Sequence, residues 1–85
     1  MVEEEIGEVT HYFTKIGVAV VRIKRGELRK GDRIAIKGKT TNFQQVVNSM
    51  QIHNKDIEVA KAGDEIGLKV EDRVREKDIV YKITE

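Results

Sequence analysis

Eighty-five residues with 16 Lys and Arg against 15 Asp and Glu make one small, nearly neutral domain, close to the lower size at which a chain folds without staples. The chain has no cysteine, which excludes disulfides and thiolate metal sites and fits a reducing compartment. No apolar run approaches a membrane span and the start, Met1-Val2-Glu3-Glu4-Glu5, is acidic rather than signal-like, so a cytoplasmic protein without a membrane partner is expected.

Residues 1–85 read as a single domain in which 1–5 form a loose acidic N-terminus. Ile6-Gly7-Glu8-Val9 opens a strand. From Gly17, Val18-Ala19-Val20-Val21-Arg22-Ile23-Lys24 is almost continuously apolar, as in a strand covered on both faces. Arg25 to Asp32 is a connection holding Gly26 and Gly31, after which Ile34 and Ile36 alternate with polar neighbours up to Gly38. Thr40-Thr41-Asn42 starts a longer β-like stretch in which Val46, Met50 and Ile52 keep a period of two. Residues 54–60 suit either a loop or a short helical turn. Ile66, Leu68 and Val70 alternate cleanly, as do Ile79, Tyr81 and Ile83.

Six or more short strands, with turns built on Gly, Asn and Asp in the absence of proline, predict an all-β domain. A small closed barrel removes the edges such strands expose. The expected core is Ala19, Val21, Ile23, Ile34, Ile36, Ile66, Leu68, Val70 and Ile79. One phrase occurs twice, as Gly31-Asp32-Arg33-Ile34-Ala35-Ile36 and Gly63-Asp64-Glu65-Ile66-Gly67-Leu68. It predicts two equivalent turns entering strands, with Gly31 and Gly63 in a backbone conformation that alanine tolerates poorly.

Charge is unevenly laid out. Residues 1–14 carry four acids and no Lys or Arg; residues 15–39 carry nine basic residues against Glu27 and Asp32; residues 40–85 carry seven basic against nine acidic. The basic segment is the one compositional hint of a polyanionic partner, although near-zero net charge argues against strong binding of nucleic acid at large.

Motifs for chemistry are missing. Gly38-Lys39-Thr40 mimics the end of a phosphate-binding loop, but Arg33 stands where that loop needs its first glycine and no helix is expected after Thr40. Asn54-Lys55-Asp56 is one residue short of a guanine-reading motif. His11 and His53 are the two histidines, with no clustered carboxylates to complete a metal site, and no Ser–His–acid or Cys–His arrangement can be assembled around them, cysteine being absent. No catalytic residue, metal or cofactor is expected. Tyr12 and Phe13 precede Lys15, a pairing able to stack on bases and equally able to fill a core.

The ordered set Ile6-Gly7-Glu8-Val9, Gly17-Val18-Ala19-Val20-Val21-Arg22-Ile23-Lys24-Arg25-Gly26, Leu28-Arg29-Lys30-Gly31-Asp32, Met50-Gln51-Ile52, Ala62-Gly63-Asp64-Glu65-Ile66-Gly67-Leu68 and Arg75-Glu76-Lys77-Asp78-Ile79 resembles domain II of the translational GTPases, the barrel of elongation factor Tu and its relatives. It is also similar to the barrel that ends the collagenase-like peptidases associated with RNA modification. The resemblance implies a closed antiparallel barrel of about six or seven strands. It places Lys15, Gly17, Gln51 and Asp64 at the positions near the family's pocket for an aminoacylated 3′ adenosine, with Gln51 and Asp64 standing where that pocket has glutamates. No GTPase signature is present, so no nucleotide-driven switch is expected.

The leading expectation is therefore a stand-alone, non-catalytic translation accessory that binds tRNA, ribosomal RNA or a ribonucleoprotein. Its candidate contacts are Lys15, Arg22, Lys24, Arg25, Arg29, Lys30, Lys37 and Lys39. The alternative is a protein-interaction module that docks on a partner supplying a GTPase or peptidase domain. An exposed apolar patch, rather than a basic one, would favour it.

Overall fold

The computed structural model describes residues 2–84. Among these residues ten strands follow one another without a helix: β1 (Val2–Phe13), β2 (Val18–Ile23), β3 (Glu27–Arg29), β4 (Arg33–Lys37), β5 (Asn42–Val46), β6 (Met50–Ile52), β7 (Lys55–Asp56), β8 (Val59–Lys61), β9 (Glu65–Lys69) and β10 (Ile79–Thr84). Eight form an antiparallel sheet in the order β5-β4-β10-β1-β2-β9-β6-β7, and β3 pairs with β8 in a separate ribbon. The all-β expectation holds, with more and shorter strands than the six or seven expected.

No backbone ladder joins the outer strands β5 and β7 among the described residues. A side chain ties β5 to the chain leaving β9 instead. Gln45 is buried in β5; its Nε2 donates to the Lys69 carbonyl (2.9 Å) and its Oε1 accepts from the Glu71 N–H (2.8 Å). One side-chain amide thus does there what a peptide group does in a ladder.

Residues 2–5 are not a loose tail. Val2, Glu3, Glu4 and Glu5 pair with Thr84, Ile83, Lys82 and Tyr81 as the first part of β1. This strand shifts register between Glu5 and Gly7 against β10, and again between Val9 and His11 against β2. Each bulge adds one residue to β1, so inward-facing positions come every third residue: Ile6 and Val9 are buried and Tyr12 packs on the core. Gly7 is required at the first bulge, because a Cβ there would run into the Arg22 carbonyl.

Eight of the nine expected core residues are buried, from Ala19 to Val70. The ninth, Ile79, is only half-buried, because in β10 it is Val80 that faces inward. The stretch after Thr40 also differs: β5 ends at Val46, which is exposed, and the buried residue is Val47, in a break before β6. Val47 bonds both ways to the turn before β4, its N–H to the Asp32 carbonyl and its carbonyl to the Gly31 N–H (each 2.8 Å). Residues 54–60 form no helix: they hold the strand β7 and the start of β8, with Asn54 in a turn and residues 57–58 connecting the two strands. The turn into β7 puts His53 and Asn54 at φ +52° and +65°, the mark of a two-residue primed hairpin turn.

Candidate binding surfaces

Because Ala19, Val21 and Ile23 point inward, Val18 and Val20 point outward, and their outer face is not fully covered as the apolar run suggested. Across the ladders they meet Phe13 and His11 of β1 and Lys69 and Gly67 of β9, with Gln51 beyond Gly67 on β6. Gly67 has no side chain to fill its place in this row. The result is a hollow of about 330 Å³ walled by Phe13, Ile16, Val18, Val20 and Gln51. Phe13 is 47% exposed and Ile16 57%. The His11 ring meets Phe13 edge-on at 4.5 Å, and the Lys69 ammonium holds the tip of the β1–β2 hairpin through the Ile16 carbonyl (2.7 Å).

The eight basic residues expected to contact RNA do not share one face. Lys15 sits in the β1–β2 turn and Lys39 in the β4–β5 turn, at the end of the barrel crossed by residues 70–78. Lys24, Arg25, Arg29 and Lys30 lie at the opposite end, a strand length of about 17–20 Å away. Arg22 and Lys37 are on the sheet between them. Acids answer several of these charges. Lys24 pairs with Glu8 (3.1 Å), Lys37 with Glu3 (2.7 Å) and Arg29 with Glu27 (3.1 Å), while Arg22 stands between Glu8 and Glu65 in the register. The acidic first segment has thus become the strand that lies against the basic one.

Of the family-pocket positions, Gln51 lies in the wall of the hollow, its Nε2 donating to Asp56 (3.0 Å), and Gly17 (φ +66°) is in the hairpin between Ile16 and Val18. Asp64 stands apart from them. It belongs to the turn before β9, where its carboxylate accepts the Lys61 N–H (2.9 Å). Neither histidine has companions for a metal: no group of three His, Asp or Glu able to hold one occurs among the described residues. Sequence reading missed Ile16, Val18, Val20 and Gly67 as a surface. An isoleucine in an otherwise polar turn was the available signal, and the missing side chain at Gly67 gains meaning only once β2 and β6 flank it.

The strands define a small all-β domain of the barrel type. Residues 17–79 match the elongation factor Tu domain 2 family, to which the chain belongs. It is 45% identical over 82 residues to an uncharacterized protease of Methanocaldococcus jannaschii, covering 95% of this chain and 20% of that protein. It is 36% identical over 78 residues to a collagenase of Porphyromonas gingivalis, covering 91% of this chain and 22% of that protein. The chain spans about a fifth of the length of these curated relatives. Its fold is that of the C-terminal domain of a Geobacillus thermoleovorans protein assigned to the U32 peptidases, with a TM-score of 0.87 at 23% identity, covering 95% of this chain and 93% of that one.

Proposed function

We propose that the chain is the non-catalytic accessory barrel of a U32 peptidase-like protein and that it acts as a docking module, seating a protein surface in the hollow around Gly67. The observation that carries this reading is the grouping of Phe13 and Ile16, both exposed, with Val18 and Val20 on one sheet face. Clustered apolar surface of this kind is stabilised by being covered. The relatives supply the candidate partner, the part of such a peptidase-like protein that this chain does not match. RNA binding through the basic segment has weaker support, because acids lie against Arg22, Lys24, Arg29 and Lys37.

The test is calorimetry between this chain and the Methanocaldococcus jannaschii protease lacking its matching segment. Binding should fall at least tenfold for Phe13→Ser with Ile16→Ser, and for Gly67→Val, which fills the hollow where Val18 Cγ1 already lies 3.5 Å from an added Cβ. No complex with the unaltered chain, together with tRNA binding at low salt that these substitutions leave unchanged, would replace docking by the RNA reading.

A further inference from the structure

A second cleft, of about 260 Å³, opens between the β4–β5 turn and residues 70–78 where they cross the barrel end. The turn contributes Thr40, Thr41 and Asn42, and the crossing contributes Asp72, Arg73 and Arg75. We infer that this cleft binds a phosphate group, free or as the monoester end of a small metabolite.

Three features carry the inference. Val74 is buried between Arg73 and Arg75, which fixes this stretch of chain to the core and leaves both arginines on the outside. Among the described residues neither guanidinium is engaged in a hydrogen bond or ion pair, which is also true of Arg22 and Arg25; what sets Arg73 and Arg75 apart is that they line one cleft together. Two arginines lining one cleft can each offer a fork of donors to a tetrahedral anion.

Thr41 adds a donor from the opposite wall. It is only 5% exposed, and its carbonyl accepts the Gly38 N–H (2.7 Å), which fixes the turn. Its hydroxyl has no partner among the described residues, and among those residues no side-chain oxygen is both sealed from solvent and unsatisfied. That hydroxyl therefore opens on the cleft that Thr41 lines, where a bound oxygen would satisfy it.

Asp72 is the opposing charge. One of its oxygens is occupied by the Arg73 N–H (2.8 Å). A second acid, Asp78, is buried behind the turn with a carboxylate oxygen taken by the Arg75 N–H (2.8 Å), so within the lining itself two guanidiniums face one carboxylate. Recognition is by side chains here, unlike a phosphate-binding loop, since the Gly38 N–H is already taken by Thr41. Two forks and a hydroxyl offer more donors than the two oxygens of a carboxylate use, which favours phosphate. Phe43 is the single aromatic of the lining and packs against the core, so a nucleoside has no evident ring to stack on.

The test is a titration of the ¹⁵N-labelled chain with sodium phosphate at constant ionic strength, followed by amide shifts. Saturable shifts confined to Thr40, Thr41, Asn42, Arg73 and Arg75 are expected, with glycerol phosphate and AMP binding about as tightly as inorganic phosphate. Arg73→Gln with Arg75→Gln should weaken binding at least tenfold, and Thr41→Val several-fold, while thermal melts confirm that both variants fold. The inference is overturned if acetate shifts the same amides as strongly, if AMP binds while inorganic phosphate does not, if shifts near Lys24 and Arg25 are equal in size, or if the double substitution leaves binding unchanged.

Discussion

Three aspartates close three versions of one turn. Asp32, Asp64 and Asp78 each accept, through a side-chain oxygen, the backbone N–H of the residue three before (2.8, 2.9 and 2.8 Å). Each also returns its own N–H to that residue's carbonyl (3.0, 2.9 and 3.1 Å). The residue ahead of each aspartate has positive φ: Gly31 at +96°, Gly63 at +97° and Lys77 at +76°. The two glycine versions were readable as a repeated phrase, whereas the third was hidden because lysine occupies the strained position. Lys77→Gly should therefore stabilise the protein by about 1 kcal/mol, the approximate size of the left-handed penalty it relieves. Gly63→Ala should destabilise it by about 1–2 kcal/mol for the same reason. An added Cβ at Gly63 meets nothing within 4 Å, so the backbone alone sets that cost. Denaturant midpoints at unchanged m-value measure both; a loss on Lys77→Gly would contradict the shared turn.

At the scale of elements, what the sequence showed was local parity, and what it hid was everything that shifts parity. β2 and β9 alternate, and Ala19, Val21, Ile34, Ile36, Ile66 and Leu68 are buried as read, while in β4 Ala35 between the two isoleucines is buried as well. β1 does not, because its two bulges turn a period of two into Ile6, Val9 and Tyr12, a spacing that no strand template matches. In β10 every position but Lys82 and Thr84 is apolar or aromatic, so pattern alone could not choose a face. Register against β1 and β4 turns Val80 inward, and Lys82 on the same side reaches the barrel end to meet Asp32 at 3.3 Å. Of the candidate surfaces, the basic residues were visible along the chain, and so was Glu27 beside Arg29, but not the acids that lie against Arg22, Lys24 and Lys37, which come from other strands. Gln45 was equally invisible, a polar residue whose burial makes sense only beside Lys69 and Glu71. Gln45→Leu should cost about 1–3 kcal/mol for each backbone group it leaves unpaired. Hydrogen exchange at the Glu71 amide should quicken with it; an unchanged rate would mean that the bond does not tie β5 to the chain after β9.

For the whole molecule, a single apolar core holds the sheet together while the charge is arranged in facing strips. Leu68 is fully buried within that core, and Leu68→Ala should lower stability by about 2–5 kcal/mol, read from thermal or urea unfolding. An effect below 1 kcal/mol, measured the same way, would be too small for a residue at the centre of the packing. The charge strips act on partners more than on stability, since the Glu3–Lys37 and Glu8–Lys24 pairs are partly exposed and such pairs contribute about 0–1 kcal/mol. What they do is cancel positive potential on the face where a polyanion would lie. Glu3→Gln with Glu8→Gln would remove two negative charges and release Lys37 and Lys24. Affinity for single-stranded RNA at low salt should then rise, and the slope of log affinity against log salt should steepen by about 1.4, or 0.7 for each newly available phosphate contact. Unfolding midpoints should hardly move. If the double substitution leaves both affinity and slope unchanged, the acidic strand is not what restrains polyanion binding, and the scatter of the basic residues over two ends of the barrel becomes the sufficient reason.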